Sequence, residues 1–436
     1  MSGTTGREAL DAIVRSEAGL VLASLIARFG SFDLAEDALQ DAVTTALERW
    51  PRDGVPQRPA AWLWVAARRR AIDLLRHESM RSNKAETLRA DEQQRRDEVA
   101  TSEEDQTVRD ERLRLLFTCC HPALTPDARV ALTLRSLGGL STEAVARAFL
   151  LPVPTLAKRL ERAKRKIRDA RIPYRVPPEA EWRSRLDSVL AVLYLIFNEG
   201  YSATSEEPAA RRALCEEAIR LARVLAQLLP AEGEVQSLLA LMLLHDARRD
   251  ARFSADGALV PLGAQDRRRW RHADLVEGLA ALRAAASHAG RGPYQVQAAI
   301  AAAHVVAASA AETPWPTIAA LYAELETLAP SPVVRVNRAV AEGRARGAAA
   351  GLALLEPLAD AGGASVLAGY QPYHAARADL LRRAGRNQEA ADAYRLALQL
   401  SRAEPERRFL TRQLEKITSG DVPPFSRPDA ADAGEP

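Results

Sequence analysis

The sequence is poor in several features that would point to particular classes of protein. Its 436 residues include only 3 cysteines, two of them adjacent, which excludes a disulfide framework. No apolar run approaches the roughly 18 residues that a membrane span needs. The first twenty residues lack a basic stretch followed by an apolar one, so we expect no secretory signal. We therefore predict a cytoplasmic protein that does not associate with membranes.

Net charge is also nearly absent, yet positive charge is concentrated in one place. Lys and Arg total 60 against 57 Asp and Glu, which gives a formal net charge of +3. The stretch "VPTLAKRLERAKRKIRDAR", from Val153 to Arg171, nevertheless carries eight basic residues against Glu161 and Asp169. Charge concentrated in this way indicates a local anionic partner.

Apolar residues recur at helical spacing along most of the chain, and strand-type alternation is missing, so we predict an all-α fold. Three breaks divide it. A polar, charged stretch from His77 to Gln106 reads as a flexible linker, prolines interrupt the segment from Ile172 to Trp182, and the tail from about Ser419 is expected to be disordered. The chain thus has a small N-terminal unit, a short middle unit and a large C-terminal unit.

The middle unit has the signals of a helix-turn-helix. Thr125 and Pro126 can begin a helix that Gly138 and Gly139 would end, and Ser141 can cap a second helix. The third helix, opened by Pro154, is the basic stretch and takes the place of the recognition helix.

The recognition helix has two faces. Leu156, Leu160, Ala163 and Ile167 form an apolar stripe for packing. The opposite face is predicted to bind DNA, with phosphate attraction supplying most of the affinity; it comprises Thr155, Lys158, Arg159, Arg162, Arg165 and Lys166. A solvated basic helix without a ligand is the alternative interpretation.

The N-terminal unit combines tryptophans with arginines on one segment. Aromatic faces beside guanidinium groups suit stacking on unpaired bases and gripping of a backbone. The residues predicted to do this are Trp64, Arg68, Arg69, Arg70 and Arg76. Trp62 has helical spacing with Val65 and Ala66, so we assign it to the core.

These segments resemble a known family. "LSTEAVARAFLLPVPTLAKRLERAKRKIR" is similar to region 4 of the sigma-70 family, extracytoplasmic-function type. "FDLAEDALQDAVTTALERW" and "RPAAWLWVAARRRAIDLLRHE" resemble region 2. The resemblance implies region 2 at residues 6–80, a flexible linker at 81–109 and region 4 at 110–172.

The resemblance also implies partners. Region 2 of such proteins binds the clamp of the β′ subunit of core RNA polymerase through an acidic face, here Glu36, Asp37, Gln40 and Asp41. Region 2 opens the downstream promoter element, region 4 reads the upstream element, and the β flap of polymerase is a further partner. We therefore expect an alternative sigma factor that is not an enzyme and needs no cofactor or metal.

Residues 180–418 form an extension that a minimal sigma factor does not need. The stretch from His374 to Leu400 looks like a tetratricopeptide unit, with Gly385 at the turn and small or aromatic packing positions at Ala390, Tyr394 and Ala397. The stretches from Cys215 to Pro230 and from Ser331 to Leu358 resemble it more weakly. We predict a superhelix of paired helices that regulates the sigma domains, alone or with a regulatory protein bound to it. "LYLIFNEGYSAT" is similar to a stretch of the sigma-factor subgroup with such extensions.

Some residues and the overall assignment leave alternatives. A regulatory contact is predicted for Asn198, Glu199, Gly200 and Tyr201, in a helix end that Asn198 and Gly200 would close; a buried acid or base is the alternative. Cys119 and Cys120 are predicted to be buried thiols rather than zinc ligands. A helical-repeat scaffold, or a repressor that does not act through polymerase, is the alternative to a sigma factor.

Overall fold

A computed structural model describes residues 17–82, 104–201, 208–360 and 367–419, apart from residues 139, 150, 289 and 402. Regular structure in this part of the chain is helical, with one isolated bridge between Phe253 and Leu259, which confirms the all-α prediction. The chain divides into two compact units, one of residues 1–201 with 207–228 and the other of residues 202–206 with 229–436.

Three helices begin the first unit: α1 (residues 17–29), α2 (Phe32–Asp53) and α3 (Pro59–Ser82). The hydroxyl of Ser31 accepts a hydrogen bond from the Leu34 backbone N–H at 3.3 Å and so caps α2. Gly54, at φ +83°, ends the helix. The α2–α3 pair is closed by Trp50, which is buried and meets the Trp62 ring edge-on at 5.4 Å. Trp62 is half-buried, so it packs on the core through Trp50 but is not enclosed in it as predicted.

The helix-turn-helix follows in α4 (Glu104–Cys119), α5 (Pro126–Ser136), α6 (Thr142–Ala148) and α7 (Val153–Asp169). The predicted caps are present, since Thr125 accepts from Ala128 N–H at 3.4 Å and Ser141 from Ala144 N–H at 3.1 Å. The predicted apolar stripe of α7 is buried at all four positions. Local capping and helical periodicity thus produce the predicted motif.

The ends of the predicted segments differ in part from the structure. Residues 83–103 of the predicted linker, residues 6–16 of the predicted first domain and residues 420–436 of the predicted tail lie outside the described residues. Residues 81–82 and 104–109 are helical rather than linker. A polar turn extends a helix readily once packing further along has nucleated it, and polarity alone therefore misplaced these boundaries.

A helical hairpin of α8 (Glu179–Tyr201) and α9 (Pro208–Leu228) completes the first unit. The predicted extension of residues 180–418 is thus divided between the two units. The predicted helix end at Asn198 and Gly200 is wrong, because α8 continues through Tyr201. The Phe197 and Tyr201 rings stack at 5.4 Å one turn apart, and this contact favours a helical last turn despite the glycine.

The second unit is a series of helices in which each contacts its neighbour along the chain. They are α10 (Gly233–Asp246), α11 (His272–Ala286), α12 (Pro293–Val306), α13 (Trp315–Leu328), α14 (Pro332–Arg346), α15 (Ala348–Asp360), α16 (Gln371–Arg383), α17 (Asn387–Leu400) and α18 (Glu404–Thr418). In the α16–α17 hairpin Gly385 turns the chain at φ +76°, and Ala390, Tyr394 and Ala397 are buried. The predicted packing of paired helices is confirmed for this hairpin.

Candidate polymerase and DNA interfaces

The outward face of α7 is open to solvent at most of its predicted DNA-binding positions. Thr155, Lys158, Arg162, Arg165 and Lys166 are exposed. Within the described part of the chain, no ion pair engages Lys158 or Arg162.

Two arginines of the same face have acidic neighbours. The Arg159 Nη1 atom lies 3.2 Å from Asp127 Oδ2, and the Arg165 Nη2 atom lies 3.7 Å from Glu161 Oε1. Both carboxylates are largely exposed, so these pairs hold the arginines only weakly. The face as a whole can therefore offer donors to phosphates and base edges.

On α3 the predicted stacking residues are placed together. The guanidinium carbon of Arg68 lies 5.6 Å from the centre of the Trp64 ring, and both side chains are half-buried. The Nε atom of Arg68 is buried without a hydrogen-bond partner in the described structure. Arg69, Arg70 and Arg76 are exposed, and Arg70 forms an ion pair with Asp41 of α2. The Trp64–Arg68 pair has the composition of a platform for an unpaired base.

The predicted polymerase-binding residues on α2 do not form one uniform surface. Asp37, Gln40 and Asp41 are exposed at i, i+3 and i+4 and share a face. Glu36 is turned away from it: its side chain is 11% exposed and forms an ion pair with Lys164 of α7. Two of the four acidic or amide side chains, Glu36 and Asp41, are thus engaged within the molecule.

The contact of α2 with α7 was missed by the sequence reasoning. Lys164 Nζ also lies 3.2 Å from Asp33 Oδ1, and Arg168 Nη1 lies 2.6 Å from Asp33 Oδ2. The sequence does contain a weak signal for this contact, which is the matched spacing of the charges. Asp33 and Glu36 are one turn apart on α2, and Lys164 and Arg168 are one turn apart on α7. Only tertiary structure pairs them.

Arginine side chains of the α8–α9 hairpin donate hydrogen bonds to main-chain carbonyl groups of the helix-turn-helix domain. Arg185 of α8 donates through Nη2 to the Phe117 carbonyl at 2.8 Å, and Arg220 of α9 donates through Nη2 to the Leu137 carbonyl at 3.0 Å. The Phe117 and Trp182 rings meet at 5.3 Å. The start of the extension is therefore built into the core of the predicted DNA-binding domain.

A pocket lies between the helix-turn-helix and α8. It has a volume of about 410 Å³, and Arg159 and Glu199 are among its lining residues. Burial raises the pKa of Glu199. Two residues with different predicted roles, DNA contact and regulation, therefore line one cavity.

Cys119 and Cys120 are both buried, as predicted. Burial raises the pKa of Cys120 to about 12 and that of Cys119 well above its ordinary value. Both thiols therefore stay protonated at neutral pH. Among the described residues no three His, Cys, Asp or Glu side chains converge on a possible metal position.

Comparisons with known proteins match the same segments of the chain to known families. Residues 13–81 match the model of sigma-70 region 2 and residues 114–167 that of sigma-70 region 4. Residues 185–286 match a family of unknown function, DUF6596. An uncharacterized protein of Rhizobium meliloti (strain 1021) is 42% identical over 399 residues, which cover 91% of this chain and 93% of the relative. No solved structure matches the chain.

The chain therefore belongs to the sigma-70 family, in its extracytoplasmic-function type with a C-terminal extension. Proteins of this family are transcription factors. None of the described helices has the length and apolar character needed to cross a bilayer.

Proposed function

We propose that the protein is an alternative sigma factor that binds core RNA polymerase and directs it to specific promoters. The observation that carries the proposal is the presence, in one compact unit, of an exposed basic recognition helix and a Trp64–Arg68 platform. The first suits duplex DNA and the second suits unpaired bases. A protein that both locates and opens a promoter needs both surfaces.

The exposed part of the acidic face on α2 is the proposed contact with the β′ clamp. Asp37 and Gln40 are exposed, and neither has a side-chain partner within the described structure. Asp41 would exchange its pairing with Arg70 for a basic group of the clamp. Region 4 would meet the β flap and place α7 in the major groove of the upstream element.

In the open complex the arginines of α3 would hold the downstream element. Arg69, Arg70 and Arg76 are exposed and can reach the backbone of a separated strand while Trp64 stacks on a base. The protein performs no covalent chemistry in this scheme, which belongs to the polymerase. It would act in the cytoplasm, where its partners are.

The extension is the proposed regulatory part. Its first two helices hold the carbonyl groups of Phe117 and Leu137 in region 4, so a shift of α8 or α9 would reach the DNA-binding domain directly. Asn198, Glu199, Gly200 and Tyr201 lie on the last turn of α8, where Glu199 shares a pocket with Arg159. A regulatory protein bound to the helical repeats would act through this hairpin.

Binding to purified core polymerase tests the proposal. An Asp37→Lys/Gln40→Ala variant should bind core at least tenfold more weakly, because a lysine in this acidic face repels the basic clamp surface. Asp53→Lys is the matched control, since Asp53 is exposed at the end of the same helix and on a different side from Asp37, Gln40 and Asp41, and its affinity should stay within twofold. Absence of binding by the unmodified chain, or equal losses in both variants, would contradict the proposal.

A further inference from the structure

The recognition helix α7 rests on the acidic side of α2 in region 2. Asp33 receives both Lys164 and Arg168, and Lys164 also reaches Glu36. These residues are separated by 128 to 135 positions in the chain, so the contact joins two domains rather than neighbouring turns. We call the four residues Asp33, Glu36, Lys164 and Arg168 the clasp.

The central pair of the clasp is largely withdrawn from water. The side chains of Lys164 and Glu36 are 14% and 11% exposed, whereas Asp33 and Arg168 are more than half exposed. Separating two buried charges that gain neither a new partner nor water costs more free energy than separating an exposed ion pair. The clasp therefore opens when each side gains another partner or water.

Two uncharged contacts hold the same domains together. The Tyr174 hydroxyl lies 2.9 Å from the Ala23 carbonyl of α1 and 3.2 Å from the Glu111 carbonyl of α4. A Cβ on Gly19 of α1 would lie 2.6 Å from the Leu137 carbonyl oxygen, so only glycine permits this approach. The clasp is thus one edge of a close interface between regions 2 and 4.

The clasp covers part of the predicted polymerase-binding face of α2 and leaves the predicted DNA-binding face of α7 exposed. Glu36 belongs to the predicted polymerase-binding set, and Lys164 covers it. Lys164 and Arg168 lie on a different side of α7 from Lys158 and Arg162, which remain exposed. Polymerase, rather than DNA, is therefore the partner that competes with the clasp.

We infer that the clasp is an autoinhibitory interaction surface: α7 occupies part of the polymerase-binding face of α2 until core RNA polymerase displaces it. The inference rests on the proposed function, because it needs core polymerase as the competitor. Displacement frees region 4 to move away from region 2, which binding to two separate promoter elements requires. Only chains in which the clasp is open can bind core through this face. The apparent affinity for core is therefore the intrinsic affinity multiplied by the fraction of chains with an open clasp.

Zero-length cross-linking of the unmodified full chain tests the inference. A water-soluble carbodiimide joins a lysine amine to a carboxylate only when the two are in contact, with loss of water to the reagent. Lys164 should give an amide with Glu36 or Asp33, read by mass spectrometry of peptides. Lys158 and Lys166 on the same helix should give none to α2, and Lys164→Arg keeps the ion pair but removes the amine.

Core polymerase then supplies the decisive comparison. Saturating core, with binding measured separately by co-sedimentation, should lower the yield of this cross-link at least fivefold. No cross-link in the free chain, or an unchanged yield under saturating core, overturns the inference. A chain that cross-links but binds no core contradicts the proposed function and overturns the competition with it.

A charge reversal gives an independent readout. Lys164→Glu/Arg168→Glu places like charges against Asp33 and Glu36, so it should bind core about three- to tenfold more tightly than the unmodified chain. Lys416→Glu, in the second unit, is the matched control and should have no effect. Unchanged or weaker core binding by a folded variant counts against the inference, and the cross-linking of the unmodified chain decides it if the variant fails to fold.

Discussion

Replacement of Arg185 tests whether the start of the extension is a structural part of region 4. The side chain is 6% exposed, and its Nη2 atom donates to the Phe117 carbonyl at 2.8 Å. Arg185→Ala removes the hydrogen bond from this charged donor, which contributes about 1.5–3 kcal/mol to stability. It also removes the packing of the aliphatic stem. We expect the first unit to lose about 2–4 kcal/mol of its free energy of unfolding.

The neighbouring Arg183 supplies the control, because it is exposed on the same helix. Arg183→Ala should change the unfolding free energy by less than about 0.5 kcal/mol. Urea denaturation gives the difference between the variants, and hydrogen exchange of the α4 and α5 amides locates it in region 4. Equal stability of the two variants, or faster exchange confined to α8, would show that the hairpin does not stabilise the helix-turn-helix.

Three further expectations concern DNA affinity, pH and helix packing. Lys158→Ala and Arg162→Ala should each lower the slope of log affinity against log salt by about 1, measured by DNA binding across a salt series, because each is expected to neutralise one phosphate. Burial, with Arg248 and Arg267 nearby, lowers the pKa of His304 to about 4. The unfolded chain therefore binds more proton at His304 between pH 6.5 and 4, so this residue should cost the second unit about 2–3 kcal/mol as pH falls through this window. Burial lowers the pKa of His245 in the same unit as well, so the contribution of His304 is read as the difference between the unmodified chain and His304→Gln in melts at pH 6.5 and pH 4. Gly351→Ala should destabilise the second unit by about 1–3 kcal/mol in urea denaturation, because its Cβ would lie 2.5 Å from the Ala339 carbonyl oxygen; a neutral effect would refute this.

The features predicted correctly from sequence are those encoded locally. Thr125 and Ser141 cap the helices on either side of the turn, and the spacing of Leu156 with its apolar neighbours defines the buried side of α7. Each depends on residues within a few positions of one another, which is the range over which capping and periodicity act.

The features that sequence could not supply depend on contacts between distant segments. The Glu36–Lys164 pair joins positions 128 apart, and no local pattern selects it over other acidic and basic residues. The helix through Gly200 was missed for a different reason, because the Phe197–Tyr201 stack is a local i, i+4 contact that favours the helix, whereas the glycine suggested a helix end. The packing of α8 on region 4 likewise follows from tertiary contacts to Phe117, not from composition.

Run-off transcription with purified core polymerase and genomic DNA fragments tests directly whether the protein is a sigma factor. We expect discrete start sites with the full chain and their loss in Arg68→Ala/Arg70→Ala, because these arginines are proposed to hold the separated strand. Arg395→Ala, at an exposed position of the second unit, should retain them. Core binding without any start sites under these conditions, or start sites unaffected by loss of Arg68 and Arg70, would contradict the proposed role in promoter opening.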